Sequence, residues 1–174
     1  MAFSFLPTIM ADAVTDISPS LLTKRGIKLL MLDFDNTLVP YTTSVPTTAV
    51  TDWLKAMQQS QVMLCVVSNS RKPRVQVFCK EYGLDCITHA KKPFAKGIRQ
   101  CLAQYGLEPS QCALAGDQIY TDTLGANCQG VHSILVKAIH NHNVWLKLRH
   151  VAELPWIGMA FKRRITKWTI WKNI

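Results

Sequence analysis

The run at 28–38, Lys-Leu-Leu-Met-Leu-Asp-Phe-Asp-Asn-Thr-Leu, constrains this chain more than any other stretch. An apolar strand empties into Asp33 and Asp35, two residues apart, and then into a small polar turn. Side chains along a strand alternate faces, so residues i and i+2 project to the same side. Asp33 and Asp35 therefore stand together at the strand's end, with Phe34 turned into the core. Two adjacent carboxylates oppose each other's ionisation unless a cation or a division of labour separates them. A strand with only a structural task avoids that conflict. The pair predicts a divalent-metal site or acid and nucleophile chemistry.

The rest of the chain repeats one pattern. Short apolar runs at 27–33, 62–67, 86–88, 112–115 and 132–136 alternate with helical patterns at about 47–60, 73–82, 94–105 and 121–128. Ser18, Pro19 and Gly26 bound a further short helix in the manner of an N-cap, a first-turn proline and a C-terminal stop. Alternation of this kind reads as βαβ units: an α/β, Rossmann-like parallel sheet of about five strands with helices on both faces. Ligands in such folds collect beyond the carboxyl ends of the strands. Polar chemistry follows each of four strands there: Asp33 and Asp35, Ser68 and Asn69, Lys92, and Asp117 with Asp122. Singly, Ser68-Asn69 reads as a turn, Lys91-Lys92 as a solvated helix entry and Gly116-Asp117 as a loop. Their convergence on one rim overturns those readings.

Asp33-x-Asp35-x-Thr37, then Ser68-Asn69, then Lys92-Pro93, then Gly116-Asp117 with Asp122 resembles, in order and spacing, the four motifs of the haloacid dehalogenase (HAD) superfamily. The resemblance spans about residues 27–137. It implies a phosphatase in which Asp33 is the nucleophile that forms an aspartyl-phosphate and Asp35 the general acid and base. It further implies Mg²⁺ held by Asp33, the Asp35 backbone carbonyl and Asp117, with Asp122 in support, an oxygen-only set suited to a hard cation. Phosphate binding would fall to Ser68 and Lys92, assisted by backbone N–H groups around Asn36 and Asn69. Lys91 competes with Lys92, but the family lysine directly precedes the proline.

Spacing sharpens the resemblance. Thirty-four residues separate Asp33 from Ser68 and twenty-two separate Asn69 from Lys92, about one helix and one strand each. Neither interval holds a cap domain. An uncapped site cannot enclose a small metabolite under a closing lid, and it suits a macromolecule or a headgroup on a membrane. Gly26-Ile27-Lys28, Asp35-Asn36-Thr37-Leu38-Val39, Ala90-Lys91-Lys92-Pro93 and Gly116-Asp117-Gln118 are similar to the capless subclass III branch of YqeG-like and phosphatidylglycerophosphate phosphatase-like proteins. That similarity implies a phospholipid phosphate as substrate. A soluble, protein or nucleic-acid phosphate is the alternative, as is a low-turnover binding module recruited to RNA or ribosomes.

Net charge is +9, but residues 137–174 hold eight of the twenty lysines and arginines against one acidic residue, Glu153. This divides the chain into an amphipathic extension at 1–26, a catalytic domain at 27–137 and a basic, Trp-rich tail at 138–174. Within 155–174, Ile157, Phe161, Ile165, Trp168 and Trp171 follow helical steps with cations between them. Such a segment suits an anionic membrane surface, the protein's own core or, less well, nucleic acid. His140-Asn141-His142, without partners, reads as a surface turn. The six scattered cysteines read as reduced, buried small hydrophobes of a cytoplasmic protein. No basic segment leads into a long apolar run at the N-terminus, so no secretory signal is expected. No apolar stretch approaches the roughly 20 residues that span a bilayer.

Overall fold

A computed structural model describes residues 4–139 and 155–159. Six strands, all parallel, form one sheet: β1 (Ile9–Ala11), β2 (Leu29–Leu32), β3 (Met63–Val67), β4 (Asp85–Ile87), β5 (Cys112–Gly116) and β6 (His132–Val136), in the order β1-β6-β5-β2-β3-β4. Helices α1 (Pro19–Thr23), α2 (Thr48–Gln58), α3 (Arg74–Glu81), α4 (Ala95–Tyr105) and α5 (Leu124–Gln129) connect them. Both faces of the sheet are covered, as parallel sheets require. Leu30, Leu32, Leu64, Val66, Ala113 and Ala115 face α2 and α3 through Trp53, Leu54, Met57 and Phe78. The alternate residues Leu29, Met31, Cys65, Val67 and Leu114 face α4 and α5 through Ile98, Cys101 and Ala126. Four cysteines, Cys65, Cys79, Cys101 and Cys112, are buried.

The helices begin where their capping residues place them. Ser18 accepts a hydrogen bond from the Leu21 N–H, and Thr47 does the same for Val50. Gly106 and Gly130 end α4 and α5 in the left-handed region.

The sheet has one strand more than the sequence pattern predicts. Ile9, Met10 and Ala11, read from the sequence as part of an amphipathic extension, pair in parallel with Ile134, Leu135 and Val136. A three-residue strand has no readable alternation, and all three side chains are buried because the β6 edge is covered here. Hydrogen bonds from Thr8 to the carbonyl and hydroxyl of Ser133 anchor its start.

Where it is described, the C-terminal segment rests on the protein itself, one of the alternatives that the sequence leaves open. Trp156 and Ile157 pack with Phe5, Leu6, Met10, Ile119 and Leu135, and the Trp156 ring lies 4.6 Å from that of Phe5. That part of the stripe lies on the protein's own surface. His140 to His142 and the stripe from Phe161 onward lie outside the described residues. Among the described residues, no helix is long and apolar enough to cross a membrane.

Candidate active site

β2 is the strand where the chain order reverses: β3 and β4 lie to one side, β5 and β6 to the other. A crevice opens beyond the carboxyl end of such a strand, and Asp33 and Asp35 follow β2 directly. The Asp33 N–H still donates to the Ala115 carbonyl, so the sheet ladder fixes its backbone. Phe34 is buried between the two aspartates. The chain then folds into a tight turn in which Leu38 and Val39 donate to the Phe34 carbonyl. Asn36 takes the left-handed backbone (φ 62°) that asparagine tolerates better than most residues.

Lys92 is the hub. Its Nζ lies 2.7 Å from Asp33 Oδ1 and 2.7 Å from Asp122 Oδ1, and its side chain is almost wholly buried. Burial alone would lower the ammonium pKa, but the flanking Asp122 and Asp33 carboxylates outweigh it and hold the pKa above its ordinary value. The opposite balance acts on Asp33. Burial raises its pKa and Asp122 adds to the rise, while Lys92 opposes both, leaving it at about 6. Lys91, the sequence competitor, is exposed and in a left-handed conformation.

The loop that carries Lys92 is clamped from two sides. Asn69 accepts from the Lys92 N–H (2.7 Å) and donates to the Lys92 carbonyl (2.9 Å). Behind the loop, a Cβ on Gly97 would sit 2.4 Å from the Ala90 Cβ, so α4 approaches this closely only because residue 97 has no side chain. Ser68 is buried at the end of β3, and its hydroxyl accepts from the Ser70 N–H.

Asp33, Asp117 and Asp122 present carboxylate oxygens within 4.8 Å of one another. Asp122 stands in a one-turn π-helix, Ile119–Thr123, a distortion found often at functional sites. Its Oδ2 accepts from the Gln118 N–H, which closes the loop that starts at Asp117. A Cβ on Gly116 would lie 2.3 Å from that same Oδ2. Three buried carboxylates around one lysine leave a local excess of negative charge, and their donors are oxygens alone. That set fits a small hard divalent cation.

Asp33, Asp35, Ser68, Asn69 and Lys92 line a single cleft of about 390 Å³ together with Tyr41, Arg71, Lys72, Gln118 and Thr121. Two residues named for phosphate binding are held by the fold. Asn36 is fully buried outside the cleft lining, and its N–H donates to the Val39 carbonyl within the turn. Asn69 lines the cleft, but both ends of its amide are engaged by Lys92, so its side chain positions that lysine.

Sequence reasoning missed Arg74. Its guanidinium forms an ion pair with Asp35, donates to the Tyr41 (3.2 Å) and Thr43 (2.8 Å) carbonyls, and lies 5.1 Å over the Phe34 ring. One side chain thus ties Asp35 to the loop that follows β2. A signal existed: an arginine in the first turn of a helix opposes the helix dipole and needs an anionic partner.

Comparison with known proteins agrees with this geometry. Residues 2–139 match the family described as mitochondrial PGP phosphatase. The probable phosphatase YqeG of Bacillus subtilis (strain 168) is 33% identical over 132 residues, covering 76% of this chain and 77% of that one. Among solved structures, a hypothetical protein from Xanthomonas campestris superposes with TM-score 0.55 at 16% identity, over 76% of this chain and 79% of that one. The cobalt-bound deoxy-D-mannose-octulosonate 8-phosphate phosphatase of Haemophilus influenzae gives 0.52 at 13%, over 72% and 75%. The structural likenesses establish the fold; the sequence matches establish that this chain is a phosphatase and belongs to the mitochondrial PGP phosphatase family.

Proposed function

We propose that the protein is a Mg²⁺-dependent phosphomonoesterase that works through an aspartyl-phosphate on Asp33 and acts on a membrane phospholipid phosphate, with phosphatidylglycerophosphate the leading substrate. The observation that carries the chemistry is the buried arrangement of Lys92 between Asp33 and Asp122, with Asp117 beside them. A phosphoryl group in transfer needs its charge neutralised and a nucleophile in line. Lys92 supplies a fixed cation at the nucleophile. Asp33 and Asp117 would hold the divalent ion with the Asp35 carbonyl, and Asp122 supports them; the ion would supply further neutralisation of the phosphoryl oxygens. The Haemophilus neighbour is a cobalt-bound form, which agrees with a divalent ion in this fold.

In the first half-reaction an Asp33 carboxylate oxygen attacks phosphorus, the P–O bond to the alcohol breaks, and Asp35 gives its proton to the departing alkoxide. In the second, Asp35 takes a proton from water, the water oxygen attacks phosphorus, and the bond to Asp33 breaks to release inorganic phosphate. Ser68 hydrogen-bonds the phosphate throughout. Arg74 orients Asp35 for both transfers.

The lipid substrate is favoured by the absence, among the described residues, of a cap over the cleft and by the description of the family that the chain matches. The test is phosphate release from phosphatidylglycerophosphate in vesicles and from soluble monoesters, with and without Mg²⁺, using Asp33→Asn as control. Release from vesicles that requires Mg²⁺ and Asp33 supports the reading. Release from soluble esters alone would sink the lipid assignment, and no release from any ester would sink the enzyme.

A further inference from the structure

We propose that the mouth of the cleft is itself a docking surface for an anionic lipid bilayer, with Tyr41, Val45 and Phe94 entering the headgroup layer and Arg71, Lys72 and Lys91 resting on lipid phosphates. This inference rests on the lipid-phosphate reading above and names the partner of that same site.

Three loops, at 36–47, 68–73 and 88–94, leave the carboxyl ends of β2, β3 and β4, so topology brings them to the end of the sheet that holds the cleft. Among the described residues, six large hydrophobic side chains are exposed, and three of them belong to these loops: Tyr41 at 42%, Val45 at 72% and Phe94 at 73%. Solitary exposed hydrophobics are ordinary on any protein surface. Of these three, Tyr41 lines the cleft itself, and Val45 and Phe94 stand on loops at the same end of the sheet.

Charge is sorted in the same sense. The exposed lysines and arginines of the three loops are Arg71, Lys72 and Lys91, and the loops expose no carboxylate; Asp35 is half-buried against Arg74. Of the exposed acids among the described residues, Glu81, Asp85 and Glu108 stand at the opposite end of the sheet, at the end of α3, the start of β4 and the approach to β5, and Asp52 lies on α2, paired with Lys55. The three loops therefore present cations and apolar tips together, with no exposed carboxylate among them. Apolar tips among cations match an anionic amphiphile, whose phosphates attract the cations while its glycerol and upper acyl region accepts the tips. A nucleic acid would use the cations, but Val45 offers no ring on which a base could stack. The arrangement also removes a difficulty of an uncapped site: a lipid headgroup need not leave the bilayer to reach Asp33, because the bilayer covers the opening.

Each basic residue at an anionic surface favours binding by roughly fivefold, so three should contribute on the order of a hundredfold. The test uses the full chain in sedimentation with vesicles of phosphatidylcholine alone and of phosphatidylcholine with one quarter phosphatidylglycerol. The wild type is expected to sediment with the anionic vesicles and not with the neutral ones. Val45→Ser with Phe94→Ser should lower the partition coefficient by about tenfold or more, with turnover of a soluble ester and the melting temperature unchanged, which separates lost docking from lost folding. Arg71→Glu with Lys91→Glu should lower it at least as far. Unchanged partitioning in both double variants overturns the proposal, as does equal sedimentation with neutral vesicles or a single-stranded RNA that displaces the protein from them. If the rim variants bind like wild type while vesicle-borne phosphatidylglycerophosphate is still hydrolysed, the docking surface fails and the lipid substrate stands. If they lose vesicle binding but only soluble esters are hydrolysed, the docking surface stands and the lipid substrate fails.

Discussion

Arg74 and Asp33 show how individual side chains set the chemistry of the cleft. In the proposed mechanism Asp35 reaches a leaving group and then a water, and Arg74 restricts where its carboxylate can go by pairing with it and with two carbonyls of the neighbouring loop. Arg74→Ala should lower kcat on an alkyl phosphate by about ten- to a hundredfold, below the full contribution of a general acid. Turnover of p-nitrophenyl phosphate, whose leaving group needs no proton, should fall much less; steady-state kinetics on the two esters check the contrast. Asp33 makes a different prediction. Its folded pKa of about 6 lies above the unfolded 3.8, so its protonation favours the folded state, and that contribution is lost as pH rises between those values. Without divalent ions, the stability of wild type relative to Asp33→Asn should therefore decline from about pH 4 to pH 6 and level off above, as read from urea melts across that range.

At the scale of elements, the site depends on close approach between segments that contribute no chemistry. The end of β5 reaches the Asp117–Asp122 loop through Gly116, and α4 reaches the Lys92 loop through Gly97. Gly116→Ala places a methyl group 2.3 Å from a carboxylate oxygen of Asp122 and forces that loop outward. The expected cost is about 1–3 kcal/mol of stability, with a weaker response to Mg²⁺; urea melts and Mg²⁺ titrations read the two effects. The π-helical turn has the same logic, since Asp122 closes its loop through Gln118 while its other oxygen faces Lys92. β1 completes the opposite edge of the sheet and, through Met10, joins the cluster of Phe5, Ile119 and Trp156. Residue Ile119 opens the turn that carries Asp122, so Phe5, Leu6, Trp156 and Ile157 pack against an element of the site.

At the scale of the whole molecule, the carboxyl end of the sheet gathers three buried carboxylates and Lys92. Three buried carboxylates within 4.8 Å of one another would make the folded chain a better ligand for a divalent ion than the unfolded chain. A ligand bound only by the folded state stabilises it by mass action, about 2.7 kcal/mol at a hundredfold excess over Kd. Mg²⁺ should raise the melting temperature of wild type, and chelation should reverse it. Asp117→Asn should melt at nearly the same temperature with and without the ion. A calorimetric scan of both proteins decides this, and an equal response in the two would remove Asp117 from the metal set.

Much of the fold was legible because a buried parallel strand is a run of apolar residues and a covering helix shows its period; β2, β3, β5 and β6 and their helices follow from that. The motif residues were legible because each stands at a strand's carboxyl end, where chain order alone carries Asp33, Ser68, Lys92 and Asp117 to one rim. Local pattern says nothing of partners distant in sequence. Three-dimensional packing alone sets Lys92 between Asp33 and Asp122, Asn69 on Lys92, Arg74 against Asp35, three residues before α1 on the sheet edge and Trp156 on Phe5. Residue order fixes which groups are present and at which end of the sheet they emerge. Packing determined what each one touches, because contact depends on how closely separate elements approach, and here a missing Cβ at Gly97 and Gly116 sets that distance.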